Sequence, residues 1–166
     1  MMEQTSRLLG LYAKRGVLID ANILLLYLIG SYDRSLISRF KGTRQFTVED
    51  YATLLLLLHP FEAVITTPNI LTEVSNLSGQ LVEPARSDHF RMFAERIRLM
   101  DEHHIDSREA AAQEGFVRFG VTDMGILLLS KNRYLVLTDD FRLSQFLQHN
   151  GVDVINFNHI RPLGWT

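Results

Sequence analysis

The chain has 166 residues, a formal net charge of −2, 46% hydrophobic and 22% charged residues, and no cysteine. A chain of this length forms one domain that buries roughly 70% of the surface its unfolded form exposes, and the lack of cysteine excludes disulfides and thiolate metal sites. Because the net charge is slightly negative, a nucleic-acid partner would have to be held by local arginines and by metal.

The most apolar long segment gives no sign of a membrane anchor. Residues 16–30 are too few to span a bilayer, and Asp20 and Asn22 interrupt them. Residues 1–15 are charged and lack the apolar core and small-residue cleavage site of a secretory signal. We therefore expect no membrane association and a cytoplasmic location.

Short apolar, β-rich runs alternate with helical segments along the chain. This alternation is typical of α/β proteins with a mainly parallel sheet. No repeat, low-complexity tract or linker interrupts it, so residues 1–166 are predicted to form a single domain. The predicted strands are Val17–Ile19, Ala63–Thr66, Phe116–Phe119, Tyr134–Leu137 and Val152–Phe157.

Two helix starts are predicted from their capping residues. Thr47 and Asp50 form an acidic variant of the capping box, which opens a helix that runs through Leu54–Leu58. Thr67 is the predicted cap of another helix, with Pro68 at the first position, where a missing N–H is tolerated.

Two further helices are predicted from periodicity and stop signals. Apolar residues from Phe90 to Met100 recur at spacings of three and four, which predicts an amphipathic helix over Arg86–His103. A helix that begins near Asp140 is predicted to end at Asn150-Gly151.

Carboxylates recur where predicted strands end or predicted helices begin. Most of them, taken singly, have the ordinary explanation of a helix cap, but Glu73 lies in a second helical turn, where an acid gains little from capping. Because the carboxyl ends of parallel strands meet at one edge of a sheet, their repetition favours a shared site. These residues are Asp20, Glu73, Asp123, Asp139 and Asp140.

Such a group of acids has a physical cost that a metal ion would remove. At an effective dielectric constant of about 20, each pair of neighbouring carboxylates repels by on the order of a few kcal/mol. Mg²⁺ or Mn²⁺ prefers carboxylate and water oxygens and retains positions for a substrate phosphate. The metal would activate a water molecule and stabilise charge in the transition state. The acids therefore predict phosphodiester hydrolysis without a protein nucleophile.

Four segments of the chain contain these acids: Val17-Leu18-Ile19-Asp20-Ala21-Asn22, Asn69-Ile70-Leu71-Thr72-Glu73-Val74, Phe119-Gly120-Val121-Thr122-Asp123 and Thr138-Asp139-Asp140-Phe141. In the order and spacing of these segments, the chain resembles PIN-domain nucleases, and most of all the VapC-like toxin ribonucleases of toxin-antitoxin pairs. The resemblance covers nearly the whole chain and implies a three-layer α/β/α sandwich with a central, mainly parallel sheet.

The resemblance also implies which residues act and on what. The family pattern of threonine, any residue and aspartate selects Asp140 as the fourth ligand, although Asp139 remains a further candidate. The toxin version adds a small antitoxin protein that blocks the acidic pocket, and dimers common in the family imply a homodimer. The residues thus expected to bind Mg²⁺ or Mn²⁺ and cleave RNA are Asp20, Glu73, Asp123 and Asp140, with Asn22 and Thr138 in supporting positions.

Residues 31–60 are predicted to form a longer helical insertion than a compact toxin of this type has. The main alternative function is a catalytically inactive PIN-like module that binds RNA or protein, and the intact set of acids argues against it. A signalling receiver domain fits less well, because Glu73 lies inside a helix and Lys131 precedes its strand. A dinucleotide-binding fold is excluded because no G-x-G-x-x-G follows the first strand.

Overall fold

A parallel sheet forms the centre of the molecule, which a computed structural model describes over residues 1–161. Its strands are β1 (Val17–Ile19), β2 (Val64–Thr66), β3 (Asp101–Glu102), β4 (Leu135–Thr138) and β5 (Val154–Asn156). They pair in the order β3-β2-β1-β4-β5, and every pair is parallel. The predicted α/β class is confirmed. Residues 162–166, which the single-domain prediction includes, lie outside the described residues.

Helices cover both faces of the sheet. Because parallel crossovers are right-handed, α2 to α5 belong to one face, and α7 and α8 to the other. Consistent with this, α2 contacts α3, α4 and α5, while α7 contacts α8. The result is the predicted three-layer sandwich. The helices are α1 (Met2–Tyr12), α2 (Ala21–Tyr32), α3 (Val48–Leu58), α4 (Pro68–Ser78), α5 (Ala85–Ile97), α6 (Ser107–Ala111), α7 (Phe116–Ser130) and α8 (Phe141–His149).

Strands β1 and β4 were recognisable in the sequence because they lie inside the sheet and are buried on both faces. Apart from Thr138 they form the continuous apolar runs that such strands have. Strand β5, at one edge of the sheet, is also buried, although Asn156 interrupts its apolar run. The edge strand β3 consists of two exposed acids and carries no such signal. The prediction of one helix over Arg86–His103 is therefore wrong at its end: α5 stops at Ile97, and the chain turns so that β3 can pair with β2.

The predicted strand at Phe116–Phe119 is also wrong, because this segment begins α7. Val117 is 98% exposed, which a core strand would not allow. The helix breaks at Gly120, where φ is 85° and ψ is −174°, and it continues from Val121. That backbone conformation is essentially restricted to glycine, and it sets the direction in which the second half of α7 leaves.

A substitution at Gly120 tests this break. Gly120→Ala is expected to destabilise the fold by about 1–3 kcal/mol, because alanine is strained at this φ even though no atom lies within 4 Å of the added Cβ. Urea unfolding gives the free energy. The matched control is Gly10→Ala within α1, where the Cβ also meets nothing and where we expect about 0.5–1 kcal/mol of stabilisation. Equal stability of the two variants would contradict the account.

The predicted helix starts are confirmed. Thr47 and Asp50 form a reciprocal capping box at the start of α3, and the Thr67 hydroxyl accepts a hydrogen bond from the backbone of Ile70, with Pro68 at the first helical position of α4. Asp50 is fully buried and also forms an ion pair with Arg161 at 2.8 Å. This pair connects residues 31–60 to the end of the described chain.

Residues 31–60 contain a 3₁₀ turn at Arg34–Leu36, a series of turns and α3. Within residues 1–161, no helix is both long and apolar enough to cross a membrane.

Candidate active site

A cavity of about 330 Å³ opens at the carboxyl ends of β1 and β4. Asp20 and Asp140 reach it from the ends of these two strands, Glu73 from the second turn of α4, and Asp123 from the second half of α7. Helices α4 and α7 contact each other, which brings their two acids to the same place. All four acids that the resemblance assigns to catalysis therefore line one cavity, and Asn22 lines it as well.

Asp20 is the most deeply buried of these acids, with 9% of its surface exposed. Its Oδ1 accepts a hydrogen bond from the backbone N–H of Ala21 at 2.7 Å, and its Oδ2 accepts one from the Thr138 hydroxyl at 2.7 Å. Burial nevertheless raises the pKa of Asp20 to about 6, and the neighbouring charges of Asp139 and Glu73 add to this effect. Thr138 thus fixes the orientation of an acid whose charge the site disfavours.

Asp140 is held through the same threonine. Its backbone N–H donates to Thr138 Oγ1 at 3.1 Å, and its Oδ1 accepts a hydrogen bond from the backbone of Leu143 at 3.0 Å, which caps α8. No donor among the described residues reaches its Oδ2. One oxygen of Asp140 is therefore used by the helix, and the other is available at the cavity.

Glu73 is oriented by a contact that the sequence analysis did not predict. The Thr122 hydroxyl donates to Glu73 Oε1 at 2.7 Å, which ties α4 to α7 across the mouth of the cavity. The only sequence signal for this role is that Thr122 directly precedes Asp123. A threonine beside an acid is too common to identify a long-range contact.

Asp123 has the most strongly shifted pKa among the cavity acids whose values are resolved. Burial, followed by the charges of Asp20, Glu73 and Asp140, raises the pKa of Asp123 to about 7. No hydrogen-bond donor among residues 1–161 reaches its carboxylate, so nothing in the described part of the chain offsets this repulsion. Burial is thus the main cause of the shift, and the three neighbouring acids add to it.

The structure distinguishes the two candidates for the fourth ligand, Asp139 and Asp140. Asp140 lines the cavity, whereas Asp139 does not. Oδ1 of Asp139 lies 3.4 Å from the Asn22 side-chain amide, and its backbone carbonyl accepts a hydrogen bond from the Asn158 side chain at 2.8 Å. Burial is the main cause that raises the pKa of Asp139. Asn158, which has no motif that marks it in the sequence, thus helps to fix Asp139 outside the cavity lining, although the charge of Asp139 still acts on Asp20.

The donor set fits Mg²⁺ or Mn²⁺ chemically, because the four acids that line the cavity supply only hard oxygen ligands. Asp123, Asp140 and Glu73 each carry at least one carboxylate oxygen that no donor in residues 1–161 reaches. In that same range, however, no three Asp, Glu, His or Cys side chains are grouped so that they could hold a metal ion. Metal binding would therefore require these carboxylates to move closer together.

Comparison with models of protein families, with curated proteins and with solved structures finds no match for this chain. Membership of the PIN-domain family stays a prediction that depends on the sequence motifs.

Proposed function

We propose that this protein is a metal-dependent endoribonuclease. The observation that carries the proposal is that Asp20, Glu73, Asp123 and Asp140, from four separate segments, line one cavity at the carboxyl edge of the parallel sheet. Asp20 and Asp140 also cap α2 and α8, but helix capping does not explain why Glu73 and Asp123 face the same cavity. Burial, together with the neighbouring acids, raises the pKa values of Asp20 and Asp123, so the arrangement has a free-energy cost. Strongly shifted pKa values in a cleft are typical of functional sites.

Each acid has a distinct part in this proposal. Bound Mg²⁺ or Mn²⁺ would supply the positive charge that promotes phosphodiester hydrolysis. The four cavity acids would hold the ion, while Thr138 keeps Asp20 oriented and Thr122 keeps Glu73 oriented. That the substrate is RNA follows from the resemblance to PIN-domain nucleases. The toxin role, the antitoxin partner and the homodimer stay predictions from that resemblance.

Comparison of the two adjacent aspartates tests the proposed site. We expect Asp140→Asn to lower RNA cleavage by more than about a hundredfold, because Asp140 lines the cavity as a proposed metal ligand. Asp139→Asn should cost less, within the roughly 10–100-fold typical of residues that only support metal ligands. The two variants change the same charge at neighbouring positions, so each serves as the control for the other. Initial rates with labelled RNA in Mn²⁺ give the comparison.

A larger loss in Asp139→Asn than in Asp140→Asn would show that the cavity assignment is wrong. RNA binding by the wild type without cleavage in Mg²⁺ or Mn²⁺ would instead support the inactive binding module.

A further inference from the structure

A second cavity, of about 530 Å³, lies between α7 and α8. It presents two guanidinium groups, one imidazole and two side-chain amides, and no carboxylate lines it. We call it the arginine groove. Its lining residues are Arg118, Arg142, Gln145, Phe146, Gln148 and His149.

The two arginines of this groove have no acidic partner. Neither Arg118 nor Arg142 forms an ion pair or a side-chain hydrogen bond with another residue in the described range 1–161. Arg118 instead lies over the ring of Phe119, with its guanidinium carbon 4.8 Å from the ring centroid. Most arginines in residues 1–161 also lack an ion pair, and only Arg91, Arg108 and Arg161 form one. What distinguishes Arg118 and Arg142 is that they share one groove whose lining contains no carboxylate, which makes the groove complementary to an anionic ligand.

The arginine groove adjoins the acidic cavity. Phe119 lines the acidic cavity, and its ring packs against Phe146 of the groove with centroids 4.8 Å apart. Arg142 follows Asp140 by two residues, in the first turn of α8. An extended ligand that leaves the acidic cavity past Phe119 or Asp140 therefore meets a guanidinium group next.

We propose that the arginine groove binds the phosphodiester backbone of the RNA substrate beside the bond that is cut. The inference depends on the proposed nuclease function. The acidic cavity repels phosphate, and the net charge of −2 provides no general attraction. Arginine-to-phosphate contacts supply affinity and fix the position of a nucleic acid without reading its sequence.

The test measures RNA binding separately from cleavage. Wild type, the double variant Arg118→Gln/Arg142→Gln and the control Arg7→Gln/Arg98→Gln are titrated against a fluorescein-labelled single-stranded RNA in EDTA, at several salt concentrations. The control removes two exposed arginines that line neither cavity. Two lost exposed ion pairs should weaken binding about tenfold and reduce the slope of log K against log salt by about 1.4. The control should stay within about twofold of wild type, since changes away from such contacts have small effects.

The outcomes separate the groove from the nuclease. Equal RNA binding by wild type and the groove variant, or no RNA binding by the wild type, would overturn the groove proposal even if metal-dependent cleavage is observed. Loss of binding in the groove variant alone would support it even if no cleavage is found. Single-stranded DNA of the same sequence should show the same proportional loss. A loss confined to RNA would contradict recognition through phosphate.

Discussion

Asp20→Asn is expected to lower metal-dependent RNA cleavage by at least about a hundredfold. Substitution of a residue that only supports a metal ligand already costs about 10–100-fold, and Asp20 is a proposed ligand itself. Asp20 is central to the site in three ways: it follows the central strand β1, it is almost fully buried, and it shares Thr138 with Asp140. Single-turnover rates in Mn²⁺ give the size of the loss.

The substitution is chosen so that the fold survives. Asparagine keeps the shape of the side chain, its oxygen can still accept from the Ala21 N–H, and its amide can donate to the Thr138 hydroxyl. Far-UV circular dichroism and urea unfolding check that the variant remains folded. The matched control is Asp106→Asn, an exposed helix cap remote from the cavity in sequence, for which cleavage should not change. A folded Asp20→Asn variant that cleaves at the wild-type rate would remove Asp20 from the site.

Asp123→Asn is expected to stabilise the metal-free protein by on the order of 2 kcal/mol at about pH 8. The pKa of Asp123 in the folded protein is raised to about 7, above its value of about 3.9 in the unfolded chain. The folded state therefore binds this proton more tightly. The stability that this proton contributes is fully present below the pKa of the unfolded chain. It is lost as the pH rises through the pKa of Asp123 in the folded protein.

The amide variant removes this pH dependence at one position. The wild-type free energy of unfolding should fall as the pH rises from about 4 to about 8, and the Asp123→Asn curve should be flatter. Urea unfolding in EDTA across this range provides the measurement. The control is Glu95→Gln, an exposed acid within α5 that forms no ion pair or side-chain hydrogen bond in residues 1–161, so its curve should follow that of the wild type. A variant less stable than wild type at the upper pH would show that the acids do not repel one another.

Divalent metal should make the wild type more stable than Asp123→Asn, which reverses their order in EDTA. A ligand that binds only the folded state at a hundred times its Kd adds about 2.7 kcal/mol. Mn²⁺ should therefore raise the melting temperature of the wild type more than that of Asp123→Asn, because the variant lacks one of the four cavity acids.

The buried strands and the helix caps could be predicted from sequence because both depend on local signals. β1 and the first three residues of β4 are continuous apolar runs, and the Thr47 and Thr67 caps depend on residues three positions apart. The edge strand β3 could not be predicted, because two exposed acids acquire strand geometry only by pairing with β2. The first turn of α7 has the apolar content of a strand. The exposure of Val117, which the sequence does not reveal, distinguishes it from a core strand.

The candidate site was predictable in its acids but not in its supporting contacts. Asp20 and Asp140 stand out because each lies between a strand and the helix that follows it. Glu73 and Asp123 lie inside helices, and only the order and spacing of the sequence motifs selected them. The Thr122 contact to Glu73 joins residues 49 positions apart, and the Asn158 contact to Asp139 joins residues 19 apart. Both depend on tertiary packing. The arginine groove likewise depends on how α7 and α8 meet.

The most direct test of the central claim is the metal dependence of cleavage by the wild-type protein. Labelled single-stranded and structured RNAs are incubated with the protein in Mg²⁺, in Mn²⁺, in EDTA, and in EDTA followed by excess Mn²⁺. We predict cleavage in either metal, none in EDTA, and recovery when Mn²⁺ is returned. Cleavage that EDTA does not affect would contradict the account, as would no cleavage in any condition together with no rise in melting temperature on addition of Mn²⁺.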